Sequence, residues 1–269
     1  MPSWNPGQYL KFADQRTQAC LDLASRVLLE SPRTVIDLGC GPGNSTEVLA
    51  RRWPEAEIAG LDGSPDMIEA ATAALPGRRF AVRDIAEWAA QPDGGGPYDL
   101  VFSNAALQWV EDHTSLFPRL FSRVTAQGAL AVQMPANFNH PVRRLMGEIA
   151  QRPAWRQSFA HALPRNAHAH EPVFYYDLLA PLASRVDLWT TDYIHVLPGP
   201  EAVGEWFKGT ALRPFLDLLK NEAERTRFVA DYVAEIGPHF PRRTDGNVLF
   251  PFRRMFVIAY KESEAPRAC

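Results

Sequence analysis

The chain has 269 residues, of which 46% are hydrophobic and 22% charged, a composition that suffices for one large globular domain or a domain with a sizeable insertion. Its formal net charge of −3 provides no general positive field for nucleic acid or an anionic membrane surface, so we predict partners of neither kind. Cys20, Cys40 and Cys269 show neither a zinc-binding nor a disulfide pattern, so we expect no metal. The sequence shows no leader pattern and no apolar run of about 18 residues, so we expect a cytoplasmic location.

Predicted strands and helices alternate through residues 1–135. A broad apolar face predicts a helix over 15–29, and the apolar run 33–38 predicts the first strand. Ser64 and Pro65 are typical of a helix start. The further elements of this part are strands at 58–62, 80–84, 98–103 and 128–134 and helices at 65–75 and 113–125. Such alternation predicts a parallel sheet covered on both faces.

The turn after the first strand is the most informative stretch. Asp37-Leu38-Gly39-Cys40-Gly41-Pro42-Gly43 combines an acidic residue with three glycines, which permit positive φ and leave room for a ligand against the backbone. Asn44 or Ser45 is expected to cap the next helix. A dinucleotide loop requires glycine where Asn44 stands, and the order D-x-G-x-G-x-G resembles the S-adenosylmethionine loop of class I methyltransferases. The alternative is a tight turn without a ligand.

Three acidic residues end the first three predicted strands. Ligands of open α/β sheets bind beyond the carboxyl ends of the strands, so Asp37, Asp62 and Asp84 are expected to face one site. There Asp62 would accept hydrogen bonds from both ribose hydroxyls. Asp84, beside the backbone of Ile85, would accept from the adenine amino group. Each carboxylate could instead cap a helix.

The segment 103–109 follows the fourth strand and is expected to lie beneath the methionine end of the cofactor, where the Asn104 backbone meets the ammonium group. Alternatively, Asn104 caps a helix and Trp109 fills the core. The residues predicted to bind the cofactor are Asp37, Gly39, Cys40, Gly41, Asn44, Asp62, Gly63, Ser64, Met67, Asp84, Ile85, Asn104 and Ala105.

Beyond Pro135 the alternation stops. Residues 136–185 are rich in Pro, His and Arg, and we interpret them as an insertion or cap. They separate an α/β core with an N-terminal lid segment, 1–135, from a C-terminal part of that core with substrate-side helices, 186–269. This last part is predicted to contain strands at 186–197 and 254–261, with helices at 200–220 and 222–236 between them.

Motifs spread over nearly the full chain carry a narrower resemblance. They are Trp4-Asn5-Pro6-x-x-Tyr9, the glycine loop 37–46, the segment 104–109, Gln133-Met134-Pro135, Tyr175-Tyr176-Asp177 and Gly209-Thr210-x-Leu212-Arg213-Pro214. Together they resemble the trans-aconitate 2-methyltransferase family. Gly63 departs from the pattern, since many relatives carry serine there, and the segment 152–171 shows no recognisable match to it.

The resemblance implies a Rossmann-like α/β fold of the class I methyltransferases. Its seven-stranded, mostly parallel sheet would have helices on both faces, a final antiparallel pair of strands and a helical cap. It also implies transfer of a methyl group from S-adenosylmethionine to one carboxylate of trans-aconitate, which gives a monomethyl ester and S-adenosylhomocysteine.

The implied chemistry requires no catalytic side chain. A carboxylate is already ionised at neutral pH, so positioning and the exclusion of water would supply the rate. Aromatic residues are expected to form a lid and wall, although each is individually a candidate for the core. Arginine binds carboxylates in a planar, bidentate way, and Arg213 is the first choice, with a surface salt bridge as the alternative. The predicted substrate-binding residues are Trp4, Tyr9, Gln108, Trp109, Tyr176, Trp206, Arg213 and Arg143.

Other functions remain open at this point. The nearest rival is a carboxyl methyltransferase for another small acid or for a malonyl thioester on a carrier protein, which the arginines between 143 and 165 favour. A nicotinamide dehydrogenase is disfavoured by Asn44 and by the acidic end of the third strand. A cofactor-binding regulatory module without activity is the third possibility. We expect a monomer or a weak homodimer.

Overall fold

The computed structural model describes residues 13–91, 95–136, 141–160 and 168–262. In these ranges the strands are β1 (Thr34–Leu38), β2 (Glu57–Asp62), β3 (Arg79–Val82), β4 (Tyr98–Asn104), β5 (Val124–Pro135), β6 (Arg185–Leu197) and β7 (Val248–Tyr260). They form a seven-stranded sheet with the order β3-β2-β1-β4-β5-β7-β6. Strands β1 to β5 run parallel, whereas β7 is antiparallel to both β5 and β6.

Helices connect the strands and cover the sheet. The α-helices of the described ranges are α1 (Ala13–Arg26), α2 (Asn44–Arg52), α3 (Pro65–Ala74), α4 (Ile85–Ala90), α5 (His113–Ser122), α6 (Pro141–Ala150), α7 (Pro172–Leu179), α8 (Pro200–Lys208), α9 (Arg213–Asp217) and α10 (Glu222–Ile236). Short 3₁₀ turns follow at Leu107–Trp109 and Gly237–His239. None of the helices in the part of the chain that is described has the length and apolar character required to cross a bilayer.

The two faces of the sheet bury separate apolar cores, because successive strand residues point to opposite sides. Helices α1 and α2 cover the face that carries Val35 and Phe102. Helices α4, α5 and α7 cover the other face, which carries Ile36 and Val101. The parallel sheet with helices on both faces and a final antiparallel pair confirms the predicted fold class.

A third core, here called the cap core, lies where β6 and β7 extend past the end of β5. Residues 248–253 of β7 pair with β6 beyond the point at which Pro135 of β5 pairs with Arg254. Helices α6, α8, α9 and α10 pack on this extension. Its large buried side chains are Trp155, Phe159, Trp206, Phe207, Phe215, Phe228, Tyr232, Phe250 and Phe252.

The predicted insertion 136–185 packs in two parts. Its first part, α6 together with Trp155, joins the cap core. Its second part, α7, packs on the sheet through Tyr175 and Leu179, which are four residues apart and share one helix face. The cap core therefore combines residues before and after α7.

Several element boundaries differ from the predictions. Strand β3 ends at Val82, because Asp84 accepts a hydrogen bond from the Glu87 amide and caps α4. The predicted helix 200–220 is divided at Gly209. Strand β7 begins at Val248, earlier than the predicted start at residue 254, because residues 248–253 also pair with β6. No individual bounds were predicted for α4, α6 and α7; α6 and α7 begin at prolines within the part for which the resemblance implies a helical cap.

Candidate functional site

The glycine loop between β1 and α2 adopts backbone conformations that favour glycine. Gly39, Gly41 and Gly43 have φ angles of 71°, 54° and 98°. A Cβ on Gly39 would lie 2.1 Å from the Ala106 Cβ, so the loop packs directly against the segment after β4. At Gly41 no atom lies within 4 Å of such a Cβ, which leaves the backbone open to a ligand.

Asp37 is fully buried at the end of β1. Its Oδ2 accepts hydrogen bonds of 2.7 Å from the hydroxyls of Ser45 and Thr46, whereas no described residue donates to its buried Oδ1. The pKa of Asp37 is raised to about 6, chiefly by burial; the hydrogen bonds from Ser45 and Thr46 lower it, and the charge of Asp62 contributes a smaller increase. The prediction that Asn44 or Ser45 caps α2 was wrong. The N-cap residue is Gly43, which has no side chain to cap the helix, and the Ser45 hydroxyl donates to Asp37 instead.

Asp62, at the end of β2, connects the glycine loop to the start of α3. Its Oδ2 accepts from the Gly41 amide at 3.0 Å, and its Oδ1 accepts from the Ser64 amide at 2.9 Å. Burial raises the pKa of Asp62, and these two amides lower it. Ser64 caps α3 through the amide of Met67 at 3.4 Å, with Pro65 in the first turn, as predicted.

Asp84 and Cys40 both have local partners. Asp84 Oδ1 accepts from the Glu87 amide at 3.0 Å, so the helix-capping alternative describes its contact here. Its neighbour Ile85 is buried and lies 3.6 Å from a Cβ placed on Gly39, which brings the start of α4 beside the glycine loop. The Cys40 thiol is buried and donates to the Gly41 carbonyl at 3.7 Å.

The segment after β4 provides a second edge of the site. Ala105 has a positive φ of 56° and its amide donates to the Gln133 carbonyl at 2.9 Å. The Gln108 side chain donates to the Ala105 carbonyl at 2.7 Å, and Trp109 is half-buried. Within the described ranges, neither Asn104 Oδ1 nor Gln108 Oε1 has a hydrogen-bond donor, although both atoms are buried.

A row of polar side chains crosses the strand ends on one face of the sheet; we call Asp37, Asn104, Gln133 and Arg254 the strand-end row. Asp37 shares the face of Val35, and Asn104 shares that of Phe102. Asn104 is paired in register with Gln133, and Gln133 with Phe256, two residues from Arg254. Paired residues and next-but-one residues project to the same side.

The predicted substrate residues lie in different surroundings. Arg213 Nε donates to Asp217 at 3.2 Å within α9. Burial lowers the pKa of Arg143, which lies on α6 near Tyr232. Trp206 is 1% exposed in the cap core, whereas Tyr176 on α7 is 49% exposed. Trp4 and Tyr9 lie outside the described residues.

His113 has two partners and lies beneath the segment after β4. Its Nδ1 is 2.7 Å from the Tyr175 hydroxyl, and its Nε2 is 2.9 Å from the Leu107 carbonyl. Burial lowers the pKa of His113, so the ring is neutral at pH 7. No group of three or more His, Cys, Asp or Glu side chains in the described parts of the chain could hold a metal ion.

Gln133 and Arg254, two buried members of the strand-end row, were not among the residues predicted from the sequence to form the site. Gln133 is fully buried and Arg254 is 2% exposed. The available signal was a polar residue inside an apolar strand, as in Ala129-Leu130-Ala131-Val132-Gln133-Met134. Buried polar side chains require partners, so such an interruption indicates a structural pair or a ligand.

The arrangement suits a charged nucleotide ligand. The buried acceptors Asp37 Oδ1 and Asn104 Oδ1 can receive an ammonium group. The open backbone at Gly41 allows close approach, and Asp62 lies beside it. These features fit S-adenosylmethionine, which carries an ammonium group, a sulfonium and a ribose.

Comparison with known proteins gives a concordant result. A family model described as a methyltransferase domain matches residues 12–187. A trans-aconitate 2-methyltransferase of Rhodopseudomonas palustris (strain BisB18) is 46% identical over 261 residues, which cover 97% of this chain and 100% of that protein.

Two solved structures share the fold. The YcgJ protein of Bacillus subtilis has a TM-score of 0.59 at 12% identity and covers 91% of this chain and 99% of its own. Phosphoethanolamine N-methyltransferase 2 of Haemonchus contortus, solved with S-adenosyl-L-methionine, has a TM-score of 0.55 at 15% identity. The match covers 91% of the present chain and 53% of the Haemonchus chain.

Proposed function

Because the chain belongs to the trans-aconitate 2-methyltransferase family, we propose that it methylates one carboxylate of trans-aconitate with S-adenosylmethionine as the methyl donor. The products are a monomethyl ester and S-adenosylhomocysteine. The relationship over almost the full length of both proteins is the observation that carries this proposal, since it includes the cap as well as the sheet.

The strand ends supply the features that methyl transfer requires. When bound, S-adenosylmethionine supplies a methyl group on a positively charged sulfur. Asp37 and Asn104 present buried acceptors for its ammonium group, and the loop at Gly41 lies open beside Asp62. The cofactor-binding residues predicted from the sequence are retained as part of this proposal.

The protein contributes to the rate by aligning the substrate carboxylate with the methyl group and by excluding water from the site. A substrate carboxylate is ionised at neutral pH, so no side chain has to remove a proton from it. The attacking oxygen must be held about 3 Å from the methyl carbon, and such alignment can supply several kcal/mol of barrier lowering. Water has to be excluded, because hydration weakens a carboxylate nucleophile.

The arginines of α6 and its surroundings, which favoured a carrier-protein substrate, are partly neutralised by neighbours. Arg144 pairs with Glu148 at 3.3 Å, and Arg152 pairs with Glu235 at 2.8 Å. Paired charges make a weaker docking field than the sequence suggests. A small polycarboxylate therefore remains the favoured substrate. A cytoplasmic location, the oligomeric state and the domain boundaries stay predictions from the sequence.

A methyl-transfer assay tests the proposal. The purified chain is incubated with radiolabelled S-adenosylmethionine and, in separate reactions, trans-aconitate, cis-aconitate, citrate, isocitrate or a malonyl carrier protein. We expect labelled monomethyl ester chiefly from trans-aconitate, with the esterified position identified by mass spectrometry. Preferential labelling of the malonyl carrier would refute the assignment, and binding of the donor without any turnover would favour a regulatory module.

A further inference from the structure

We infer that Arg254 and Gln133 form a subsite for a substrate carboxylate that is not methylated. The inference rests on the proposed function, because it assigns these side chains to the polycarboxylate of that reaction. It places the subsite at the β5–β7 end of the strand-end row, beside the end expected to hold the methionine part of the cofactor.

The guanidinium group of Arg254 is buried inside the protein, next to aromatic rings. The residue is 2% exposed, and arginine is rarely buried to this extent unless its charge is paired or hydrogen-bonded. The guanidinium carbon lies 4.9 Å from the centroid of the Phe252 ring and 5.9 Å from that of Tyr193. These rings keep the guanidinium at the strand end.

Gln133 adds a donor next to that charge. Arg254 Nη1 donates to Gln133 Oε1 at 3.2 Å, and this bond orients the amide so that Nε2 points elsewhere. Nε2 is buried, and no acceptor among the described residues lies within hydrogen-bond distance of it. An unpaired buried N–H donor beside a guanidinium is the complement of a carboxylate, which offers acceptors only.

The strand-end row thus changes character along its length. On β1 and β4 the acceptors Asp37 Oδ1 and Asn104 Oδ1 receive no hydrogen bond from any residue that the structure describes, and they suit an ammonium group. On β5 and β7 it presents donors. Asn104 and Gln133 are paired in register, so the change occurs between two neighbouring strands. A substrate carboxylate bound at the donor end would lie next to the donor's methionine portion.

The charge at this end comes from arginine and not from histidine. His195 is buried beside Trp206, and burial together with the charge of Arg254 lowers its pKa to about 4. The His195 ring is therefore neutral at the pH of the reaction. Arg254 is accordingly the group expected to offset a negative charge of the substrate here.

The same strand offers a matched control. Arg253 lies next to Arg254 but points to the other, exposed side, where its Nε and Nη2 donate to the two carboxylate oxygens of Asp192 at 2.8 Å. Arg213, which the sequence favoured, donates to Asp217 on α9 and serves as a second comparison.

The experiment compares Arg254→Met, Arg254→Lys, Gln133→Leu, Arg213→Met and Arg253→Met with the unmodified chain. For each, kcat/KM is measured with trans-aconitate, with cis-glutaconate, which keeps the double-bond geometry of trans-aconitate but lacks its central carboxylate, and with mesaconate, which has a methyl group in place of the carboxymethyl arm. Calorimetry gives the Kd of S-adenosylmethionine and, in the presence of S-adenosylhomocysteine, that of trans-aconitate. Thermal unfolding shows which variants are folded.

We expect Arg254→Met to lower kcat/KM for trans-aconitate about 100-fold and Gln133→Leu about 10-fold, mainly through KM. The loss should fall below about fivefold for the analogue that lacks the carboxylate bound at this subsite, since the variant then removes an interaction that is already absent. Arg254→Lys should recover part of the activity, and Arg253→Met should change nothing beyond about twofold. The Kd of S-adenosylmethionine should stay within about threefold throughout.

Equal losses with all three acids, or a parallel loss of S-adenosylmethionine affinity, would show a structural role and overturn the inference. So would a larger effect of Arg213→Met than of Arg254→Met. If Arg254→Met does not fold, Arg254→Lys and Gln133→Leu decide by the same criteria. Failure of the proposed function looks different: the unmodified chain would bind trans-aconitate without methylating it, or would not bind it at all.

Discussion

The two ends of the strand-end row are built in different ways. At the β1 end, Asp37 is held by Ser45 and Thr46, eight and nine residues further along the chain. At the other end, Arg254 contacts Gln133 from 121 residues away. Local spacing can encode the first arrangement, whereas the second exists only after β5 and β7 have paired.

The cores that support the two ends differ in the same way. The cofactor end rests mainly on α1, α2 and the parallel strands, which follow one another closely in the sequence, and Phe256 and Ile258 of β7 complete this core. The cap core joins α6 to α8, α10 and the far part of β7, so it unites segments about 100 residues apart. Variants directed at one end should therefore leave the other end largely intact.

Gly39→Ala should separate the two ends most strongly. The new Cβ would meet the Ala106 Cβ at 2.1 Å in a backbone with φ of 71°, so the loop must move away from the segment after β4. We expect S-adenosylmethionine affinity to fall by more than about 100-fold by calorimetry, at an unfolding cost of several kcal/mol at most. Gly147→Ala in α6, where the new Cβ meets no atom within 4 Å, is the control and should stabilise by up to ~1 kcal/mol. Unchanged affinity in Gly39→Ala would contradict the role of the loop.

Trp206→Ala should produce the opposite pattern. The ring is 1% exposed and packs 4.7 Å from His195 and 5.6 Å from Phe252, so its loss should lower the free energy of unfolding by about 3–5 kcal/mol. The folded fraction should bind S-adenosylmethionine normally. Tyr176→Ala, at a half-exposed position, is the control and should change stability by less than about 1 kcal/mol. A stable Trp206→Ala variant with a raised KM would instead support the ligand-wall role predicted from the sequence.

The titration of Asp37 should make both the stability of the protein and its affinity for S-adenosylmethionine depend on pH, which tests the cofactor end of the row. Burial raises the pKa of Asp37 to about 6, so between about pH 4 and 6 the native state holds more protons than the unfolded chain. Without ligand, stability should therefore fall as pH rises through this window, by up to about 3 kcal/mol. A bound ammonium group favours the ionised form, so S-adenosylmethionine affinity should weaken about fivefold from pH 6 to pH 5, as the ionised fraction of Asp37 falls.

The Asp37→Asn variant is the control for that titration. It should bind S-adenosylmethionine about 10- to 100-fold more weakly at pH 7, with little dependence of affinity on pH near 6. Its ligand-free form should unfold at a higher temperature than the unmodified chain, because a buried charge has been removed. A steep pH dependence that persists in Asp37→Asn would assign the titration to Asp62 instead.

The smallest expected effect is the dependence of kcat on pH. At saturating S-adenosylmethionine we expect kcat to vary less than about twofold from pH 6.5 to 8.5, since the substrate carboxylate is ionised throughout. Burial lowers the pKa of His113, which favours the neutral ring over this range, and the ring is already hydrogen-bonded to Tyr175. A sharp loss of kcat towards pH 6.5 would indicate a side chain that acts as a base.

The sequence predicted the sheet well because its signals are local. Apolar runs, the glycine turn and the Ser64-Pro65 helix start all lie within a few residues of the structure that they specify. The contacts of the site were less predictable. Ser45 binds Asp37 instead of capping α2, and Asp84 caps α4, because each side chain satisfies the nearest buried or unpaired group after folding.

The amino-acid sequence alone determined the parallel α/β core, the glycine loop and the carboxylates at the ends of the first two strands, since hydrophobic period and turn chemistry act over short distances. Only the tertiary structure decided that α6 packs with α10, that α7 covers the sheet, and that Arg254 joins Gln133. The physical reason is strand register. The antiparallel pairing of β5 with β7 sets which distant side chains share a face, and no local pattern contains that information.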